Sequence, residues 1–362
     1  MILGYPRVEI NLKYIEENTR AIVERCSKYG VNVSGVIKGV NGIPQVSKAY
    51  ADGGADMICS SRLEQIEEAR AYGVDKPMML IRIPMLTKVE ETVRVADYSL
   101  NSEMEVIEAL NEAAGRQGKV HNVVLMVDLG DLREGWWDQD ELCDAAWRIE
   151  NELDNIYLAG VGVNVGCYGA VMPTAEKLQE LVDAAEKVEA RIGRRLDIIS
   201  GGGSSSLMRI WDGDIPERIN HLRIGGEIVA AFTNEVVYGY DMSCLHKDAI
   251  RLKAEIIEIK DKPTYPVGTI ARDDLGKYHT YEDRGIRRRA LIAVGRLDYH
   301  DPEDLIPVDK NIQVLGANGD YTILDVEDCD IDYKVGDIIE FVVRYGTMVY
   351  LTKSRNVKEV FI

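Results

Sequence analysis

The sequence predicts an α/β protein: a (β/α)8 TIM barrel over residues 1–238, followed by a C-terminal all-β domain over residues 239–362. Three observations predict this architecture. Short apolar runs alternate with segments of helical periodicity along roughly the first 230 residues. The run at 123–127 is apolar throughout, which is typical of a parallel strand covered on both faces. Beyond residue 239, short alternating strands separated by turns replace the helices.

Strands are predicted where apolar residues run together, and helices where they recur every three or four positions. The strands predicted in residues 1–238 are residues 8–12, 31–37, 57–59, 78–81, 98–100, 123–127, 158–164, 196–200 and 221–224. The predicted helices are residues 13–29, 43–52, 63–72, 87–96, 104–115, 138–153 and 174–192. No Gly-x-Gly-x-x-Gly follows the first strand, so a barrel is favoured over an open dinucleotide-binding sheet.

The last third of the chain alternates with the period of a half-buried strand. The predicted strands are residues 252–259, 290–294, 312–315, 321–324, 338–343 and 348–351. Turn-forming stretches such as 317–320 and 334–337 separate them. A separate all-β domain is therefore expected.

Composition excludes several classes of partner. The formal net charge is −18, which argues against nucleic acid and anionic membranes, because both bind clustered Lys and Arg. The six cysteines and five histidines are scattered without metal-binding spacing, so no metal site is expected. The scattered thiols fit a cytoplasmic location, and neither a signal peptide nor a membrane helix is expected.

Lys38 is the most informative residue, because it follows the apolar run 31–37. Carboxyl ends of barrel strands carry the active sites of this architecture. A lysine there is costly unless its ammonium finds water, a partner or a covalent bond. A Schiff base with pyridoxal phosphate (PLP) is one covalent solution. A lysine that simply reaches water at the barrel mouth is the alternative.

Two arginines follow or lie within other predicted strands. Arg133, just past the strand 123–127, suits a substrate carboxylate, although an ion pair with Glu134 or Asp131 is an equal alternative. Arg223 lies among apolar neighbours and must be paired. A group that accepts one hydrogen bond from it, such as a pyridine nitrogen, would suit.

A glycine- and serine-rich run, residues 201–206, follows the strand 196–200. Glycines let backbone N–H groups approach an anion, and serine hydroxyls add donors. A flexible loop is the alternative interpretation. Because the run is held between a strand and an apolar segment, phosphate binding is favoured.

Taken in this order and spacing, these features resemble the alanine racemase-like, fold-type III PLP enzymes. The resemblance covers essentially the whole chain and is strongest to the ornithine racemase branch. The stretch 128–135 is specific, and residues 6–12, 61–64, 80–85 and 125–127 also carry the resemblance. Residues 282–286 and 315–325 resemble the branch too, but each is weak by itself.

The resemblance implies a role for each matching residue. Lys38 matches the Schiff-base lysine and the base on one face, and Arg133 the carboxylate-binding arginine. The loop at Gly203, Ser204 and Ser205 matches the phosphate site, to which Tyr345 adds a contact. Arg223 matches the arginine that donates to the pyridine nitrogen and keeps it unprotonated.

Several positions depart from the family pattern. Asn164 stands where alanine racemases carry a histidine stacked over the cofactor ring, and Met126 replaces a modified lysine. The tyrosine of the second face is placed at Tyr278 or Tyr281, with Tyr278 slightly favoured. Asp320 matches a substrate-binding aspartate of the second domain, but its neighbours differ from those usual in the ornithine branch.

The resemblance implies a PLP-dependent amino-acid racemase that uses two bases, acts on ornithine or another basic amino acid and works as a homodimer. The β-domain of one subunit would complete the active site of its partner. Acidic residues that could pair with a distal ammonium are Asp131, Glu134, Asp283 and Asp320. The alternatives are an alanine or broad-specificity racemase, a PLP-binding homeostasis protein, and a D-amino-acid aldolase or decarboxylase. A homeostasis protein lacks the β-domain, an aldolase needs a metal, and a decarboxylase offers the pyridine nitrogen a carboxylate.

Overall fold

The structure is a computed structural model that describes residues 4–230, 233–273, 276 and 278–362. The chain divides into two compact units. The barrel unit is Leu12–Ala249, and the β unit combines the N-terminal residues up to Asn11 with Ile250–Ile362. Within the described residues, no helix is both long and apolar enough to cross a membrane.

The strands of the chain are β1 (Arg7–Ile10), β2 (Asn32–Val36), β3 (Met57–Ser60), β4 (Met78–Leu80), β5 (Tyr98–Asn101), β6 (His121–Val127), β7 (Ile156–Val163), β8 (Ile198–Ser200), β9 (His221–Ile224), β10 (Ile250–Pro263), β11 (Ile286–Ile292), β12 (Leu305–Pro307), β13 (Gln313–Ala317), β14 (Thr322–Asp325), β15 (Ile338–Val343) and β16 (Lys358–Phe361). The α-helices are α1 (Leu12–Ser27), α2 (Pro44–Asp52), α3 (Leu63–Ala71), α4 (Val89–Val95), α5 (Met104–Gln117), α6 (Gln139–Glu152), α7 (Ala175–Ile192), α8 (Leu207–Asp212), α9 (Gly226–Val229), α10 (Thr233–Tyr238), α11 (Arg296–Tyr299) and α12 (Tyr345–Leu351). Short 3-10 helices cover Ile37–Val40, Leu86–Lys88, Ser204–Ser206 and Pro302–Asp304.

The barrel unit confirms the predicted (β/α)8 architecture. Strands β2 to β9 form a closed barrel in chain order, and β9 closes it by pairing in parallel with β2. Its strands are short and largely buried, as strands covered on both faces must be. The apolar core inside the barrel comprises Val36, Cys59, Met79, Leu100, Val124, Met126, Ala159 and Ile198.

The helices of the barrel unit are amphipathic, and their apolar stripes explain where they form. In α7, the buried residues Leu178, Leu181, Val182 and Ala185 recur every three or four positions. Thr174 caps this helix by accepting a hydrogen bond from Lys177 N at 3.2 Å. The apolar stripe is the pattern on which the sequence-based helix predictions rest.

The β unit confirms the predicted all-β domain. Its strands form a sheet in the order β12-β15-β10-β11-β14-β13, built around the long strand β10. The opening strand was expected in the barrel, but β1 pairs with β10 and β16 in this sheet instead. Val8 and Ile10 are fully buried there, opposite Leu252 and Ile250. An apolar strand pattern cannot specify which sheet buries it.

The division between the units also differs from the expected boundary after residue 238, because residues 239–249 belong to the barrel unit. The side chain of Asn18 on α1 explains their attachment. It donates to His246 O at 2.9 Å and accepts from His246 N at 2.7 Å. The imidazole of His246 also stacks on Tyr14, with ring centroids 3.9 Å apart.

The strand predicted at 348–351 is wrong, because this segment is the end of helix α12. Met348 and Leu351 are both buried and are three residues apart, which places them on one face of a helix. Strands β12 and β16 were not predicted. Both are short, so neither shows enough alternation to be recognised from sequence.

Candidate active site at the carboxyl ends of the barrel strands

Lys38 lies in the 3-10 helix that directly follows β2. Asn41, at φ 52°, and Gly42 close this turn by donating to the carbonyls of Lys38 and Ile37 at 3.2 and 3.0 Å. Solvent reaches the side chain, yet the protein atoms around it displace part of the ammonium's hydration. This desolvation, followed by the positive charge of Arg133, lowers the pKa of Lys38. The neutral, nucleophilic amine is thereby favoured.

Arg223 on β9 is almost completely buried, with 5% of its surface exposed. It donates hydrogen bonds to Ser200 Oγ, to Val163 O at 2.8 Å and to Asn164 Oδ1 at 2.7 Å. Burial lowers the pKa of Arg223 to about 10, so the guanidinium remains a cation at neutral pH. These three acceptors at the strand ends provide the partners that a buried arginine requires.

A buried histidine supports Arg223 through Ser200. His221 Nδ1 lies 2.8 Å from Ser200 Oγ, and His221 Nε2 lies 2.6 Å from Ser34 Oγ. Arg223 only donates, so the hydroxyl of Ser200 accepts from it and donates to His221, whose Nε2–H then donates to Ser34. Burial lowers the pKa of His221 to about 3, so the ring is neutral.

The loop after β6 places Arg133 beside the barrel mouth. Asp128 Oδ1 accepts from Gly130 N at 2.9 Å and from Leu132 N at 3.1 Å. Leu132 adopts φ 55°, a left-handed conformation that side chains rarely take and that the turn imposes. Asp131 fixes the neighbouring loop, because its carboxylate accepts from the backbone N–H groups of Cys167, Tyr168 and Val171.

Arg133 forms the ion pair with Glu134 that the sequence left open. Glu134 accepts from Nε and from Nη2 of Arg133, the latter at 2.5 Å. Arg133 Nη1 also donates to Cys167 Sγ at 2.8 Å. The hydrogen bonds with Glu134 raise the pKa of Arg133 above its ordinary value.

Asn164, at the end of β7, connects the two arginines. Its amide oxygen accepts from Arg223, and its amide nitrogen donates to Glu134 Oε1. Sequence reasoning singled out Asn164 and Glu134 but not the bond between them, and it missed Ser200 and His221 as the support of Arg223. The visible signal was the polar residues Ser34, Ser200 and His221 inside otherwise apolar strands.

The glycine- and serine-rich loop joins two helical N-termini. Ser204 begins the 3-10 helix that leads into α8, and its Oγ accepts from Gly225 N, just before α9, at 3.2 Å. Ser205 Oγ donates to Val165 O at 3.2 Å. The buried amide of Asn234 donates to Ser204 O at 3.0 Å and secures the loop. The first N–H groups of helical segments lack internal partners, so this junction suits a phosphate.

The glycines of this junction let neighbouring backbone segments lie closer together than a side chain would allow. A Cβ on Gly225 would lie 3.0 Å from Val36 O, and one on Gly203 would lie 3.4 Å from Arg223 O. Gly202 adopts φ 110°, which side chains rarely take. The junction, a desolvated lysine and a buried arginine donor therefore fit the phosphate, aldehyde and ring nitrogen of PLP.

Four predicted site residues belong to the β unit: Tyr278, Tyr281, Asp320 and Tyr345. The guanidinium carbon of Arg272 lies 4.4 Å from the centroid of the exposed Tyr278 ring. Tyr281 is half-exposed and lines a cavity of about 530 Å³ within this unit, together with Arg289 and Arg296. Asp320 is exposed between β13 and β14, and Tyr345 begins α12.

The barrel unit thus brings together Lys38, Arg133, Asn164, Arg223 and the loop at Gly203, Ser204 and Ser205. In the described part of the chain, no group of three or more His, Cys, Asp and Glu side chains could hold a metal ion. Fold and site define a (β/α)8-barrel protein with a partly desolvated lysine, a glycine- and serine-rich loop and an ion-paired arginine at one barrel mouth.

The chain belongs to the family described as alanine racemase, N-terminal domain, whose model matches residues 10–230. It is 39% identical to an ornithine racemase of Acetoanaerobium sticklandii, over 95% of this chain and 96% of the relative. It is 37% identical to a lysine racemase of Thermotoga maritima, over 99% and 98% of the two chains. The fold matches an alanine racemase of Bartonella henselae with covalently bound pyridoxal phosphate, at 14% identity and a TM-score of 0.75, over 99% of this chain and 100% of that one.

Proposed function

We propose that the protein is a PLP-dependent racemase that interconverts L- and D-amino acids and acts on ornithine or another basic amino acid. The observation that carries this proposal is the cluster of Lys38, Arg133 and Arg223 at one barrel mouth. The chain bearing this cluster aligns along almost its whole length with ornithine and lysine racemases.

Residues of the barrel unit could bind each part of the cofactor. Lys38 would bind the aldehyde group, and the backbone of Gly203 with the hydroxyls of Ser204 and Ser205 would hold the phosphate. Tyr345 would be a further phosphate ligand. When bound, PLP withdraws electrons from the amino acid's Cα and so acidifies the Cα proton.

Arg133 and Arg223 have different binding roles in this proposal. Arg133 grips the α-carboxylate and holds the Cα–H bond in a fixed direction. Arg223 would donate one hydrogen bond to the ring nitrogen, and it would keep its own proton because it is a cation at neutral pH. A ring nitrogen held in this way would be unprotonated, which would limit electron withdrawal and favour return of a proton to Cα.

Proton transfer requires one group on each face of Cα. Lys38, whose pKa is lowered by desolvation, removes or returns the proton on one face. A tyrosine of the β unit serves the other face. Tyr278 and Tyr281 are the two candidates, and a comparison of the Tyr278→Phe and Tyr281→Phe variants decides between them.

Asp320 is the acidic residue that we assign to the distal ammonium of the substrate. Three of the four acidic candidates already accept hydrogen bonds: Asp131 from a loop, Glu134 from Arg133 and Asn164, and Asp283 from Gly285 N at 3.0 Å. Asp320 lies exposed in the β unit, outside these interactions.

We place the working enzyme as a homodimer in which the β unit of one subunit completes the site of the other. The support is that four of the proposed site residues belong to the β unit. All six cysteines are free, which fits a reducing compartment such as the cytoplasm. Mixing inactive Lys38→Ala with an inactive tyrosine variant tests the dimer, because shared sites restore part of the activity.

The proposed function is tested by incubating the PLP-loaded protein with single L-amino acids and separating the enantiomers by chiral chromatography. We expect D-ornithine or D-lysine to form until both enantiomers are equal. An alanine preference identifies an alanine racemase, and equal rates on many amino acids identify a broad-specificity one. No racemisation at all contradicts the proposal and supports a PLP-binding homeostasis role.

A further inference from the structure

Glu134 connects two arginines that the proposed reaction uses separately. Its carboxylate accepts two hydrogen bonds from Arg133, and its Oε1 also accepts one from Asn164 Nδ2. Asn164 Oδ1 accepts from Arg223 at 2.7 Å. The four side chains form one continuous hydrogen-bonded chain across the ends of β6, β7 and β9.

The hydrogen bonds of Arg133 determine which of its N–H groups remain available for a ligand. A guanidinium carries five N–H groups in a fixed plane. Glu134 accepts from two of them on the Nε–Nη2 edge, and Cys167 Sγ accepts a third at 2.8 Å. For the other two, the described residues supply no acceptor. One of these two is on Nη1 and the other on Nη2, and both can donate to a carboxylate.

Glu134 lies among positively charged side chains at the barrel mouth. Glu134 is only 18% exposed, and both Arg133 and Lys38 lie close enough to interact with it. The negative charge of Glu134 offsets the positive charge of Arg133. Without it, Arg133 would repel the other cations at the barrel mouth more strongly. Removing the carboxylate therefore removes both a geometric anchor and a charge.

We infer that Glu134 is a positioning residue: it holds Arg133 with two N–H groups free for the α-carboxylate and ties it through Asn164 to Arg223. This inference rests on the proposed function, since it takes an amino-acid carboxylate as the ligand of Arg133. Glu134 is therefore not an acceptor for the distal ammonium of the substrate.

The first test compares Glu134→Gln with Glu150→Gln as a matched control. Glu150 makes a similar two-bond ion pair with Arg194, at 2.7 Å for each bond, but outside the site. We expect Glu134→Gln to raise KM for L-ornithine about tenfold, equivalent to about 1.4 kcal/mol, with a smaller change in kcat. Glu134→Asp should recover part of the loss, and Glu150→Gln should match the wild type.

The second test follows the Arg133–Cys167 contact without measuring activity. Donation from Arg133 Nη1 holds the guanidinium against Cys167 Sγ, the atom that iodoacetamide alkylates. If Glu134 holds Arg133 in place, Glu134→Gln changes the alkylation rate at Cys167 by about twofold or more, because the guanidinium no longer stays beside the sulfur. Cys244, which is also exposed, is the internal control for mass spectrometric mapping.

The two tests separate failure of this inference from failure of the proposed function. An unchanged KM together with unchanged alkylation of Cys167 overturns the positioning role, even in an active racemase. If the wild type racemises no amino acid, the proposed function fails. The alkylation rates then still decide whether Glu134 holds Arg133.

Discussion

His221 Nδ1 lies 2.8 Å from Ser200 Oγ, the same oxygen that accepts a hydrogen bond from Arg223. This relationship makes a buried, neutral histidine the support of the arginine assigned to the cofactor ring. The support depends on the histidine remaining unprotonated, because a protonated ring has no acceptor for the hydroxyl of Ser200.

The first prediction concerns stability at acidic pH. The pKa of His221 falls from about 6.5 to about 3 on folding, so the unfolded state binds more protons between these values. Stability is therefore present above the unfolded pKa and is lost as pH falls. At about pH 5 the loss amounts to about 2 kcal/mol for this residue. Urea unfolding at about pH 7.5 and pH 5 should show a smaller pH-dependent loss in His221→Asn than in the wild type.

His121 provides the comparison for that experiment. Its pKa is also lowered by burial, to about 4, and its Nε2 lies 2.8 Å from Ser99 Oγ, far from the proposed site. His121→Asn should reduce the acid sensitivity of stability without altering racemisation at neutral pH. An acid sensitivity identical in the wild type and both variants would contradict the proposed linkage.

The second prediction concerns covalent attachment of the cofactor. Lys38→Ala should lose the visible absorbance of protein-bound PLP, and racemisation should fall by about 10²-fold or more because an acid–base group is removed. Borohydride reduction of the wild type should leave the pyridoxyl mass on the peptide that contains Lys38. Lys48→Ala, an exposed lysine paired with Asp52, is the control. A wild-type spectrum in Lys38→Ala would refute the assignment.

The third prediction concerns the ring nitrogen. Arg223→Glu should retain PLP through the loop at Ser204 but favour a protonated ring nitrogen, because a carboxylate stabilises the protonated form. We expect slower racemisation and more transamination, measured as keto acid released from L-ornithine. Arg223→Lys preserves the positive charge and controls for loss of folding. Racemisation and spectrum unchanged in Arg223→Glu would show that this residue does not contact the ring.

The fourth prediction concerns the pH dependence of cofactor capture. The positive charge of Arg133 contributes to the lowered pKa of Lys38, so removing it should raise that pKa. In Arg133→Leu, the rate at which apoprotein captures PLP should reach its midpoint at a higher pH than in the wild type. Stopped-flow absorbance over a pH series measures this midpoint. A midpoint that stays constant or moves to lower pH would count against the electrostatic coupling.

The fifth prediction concerns substrate preference. We expect kcat/KM to be higher for L-ornithine than for L-alanine. Asp320→Asn should reduce the value for ornithine by about tenfold or more, equivalent to about 1.4 kcal/mol or more, because the distal ammonium loses its anionic partner. The value for alanine, which has no distal ammonium, should be unchanged. Equal losses for both substrates would show that Asp320 acts on folding or assembly instead.

The sequence by itself determined the two-part architecture and the principal groups of the barrel site. Apolar runs such as 123–127 are buried strands because water is excluded from both of their faces. The position of Lys38 and the polar loop at 201–206 directly after strands indicated the reactive end of the barrel. These features are local, so they can be read from neighbouring residues in the chain.

Only the tertiary structure decided which of these residues meet. The assignment of β1 to the second sheet depends on strand pairing. The hydrogen bonds between Ser200 and His221 and between Glu134 and Asn164 depend on strand pairing and loop conformation. Apolar burial is non-directional, so a strand pattern does not select its partner. Hydrogen bonds are directional and short, so their partners are fixed only when the folded backbone places donor and acceptor within reach.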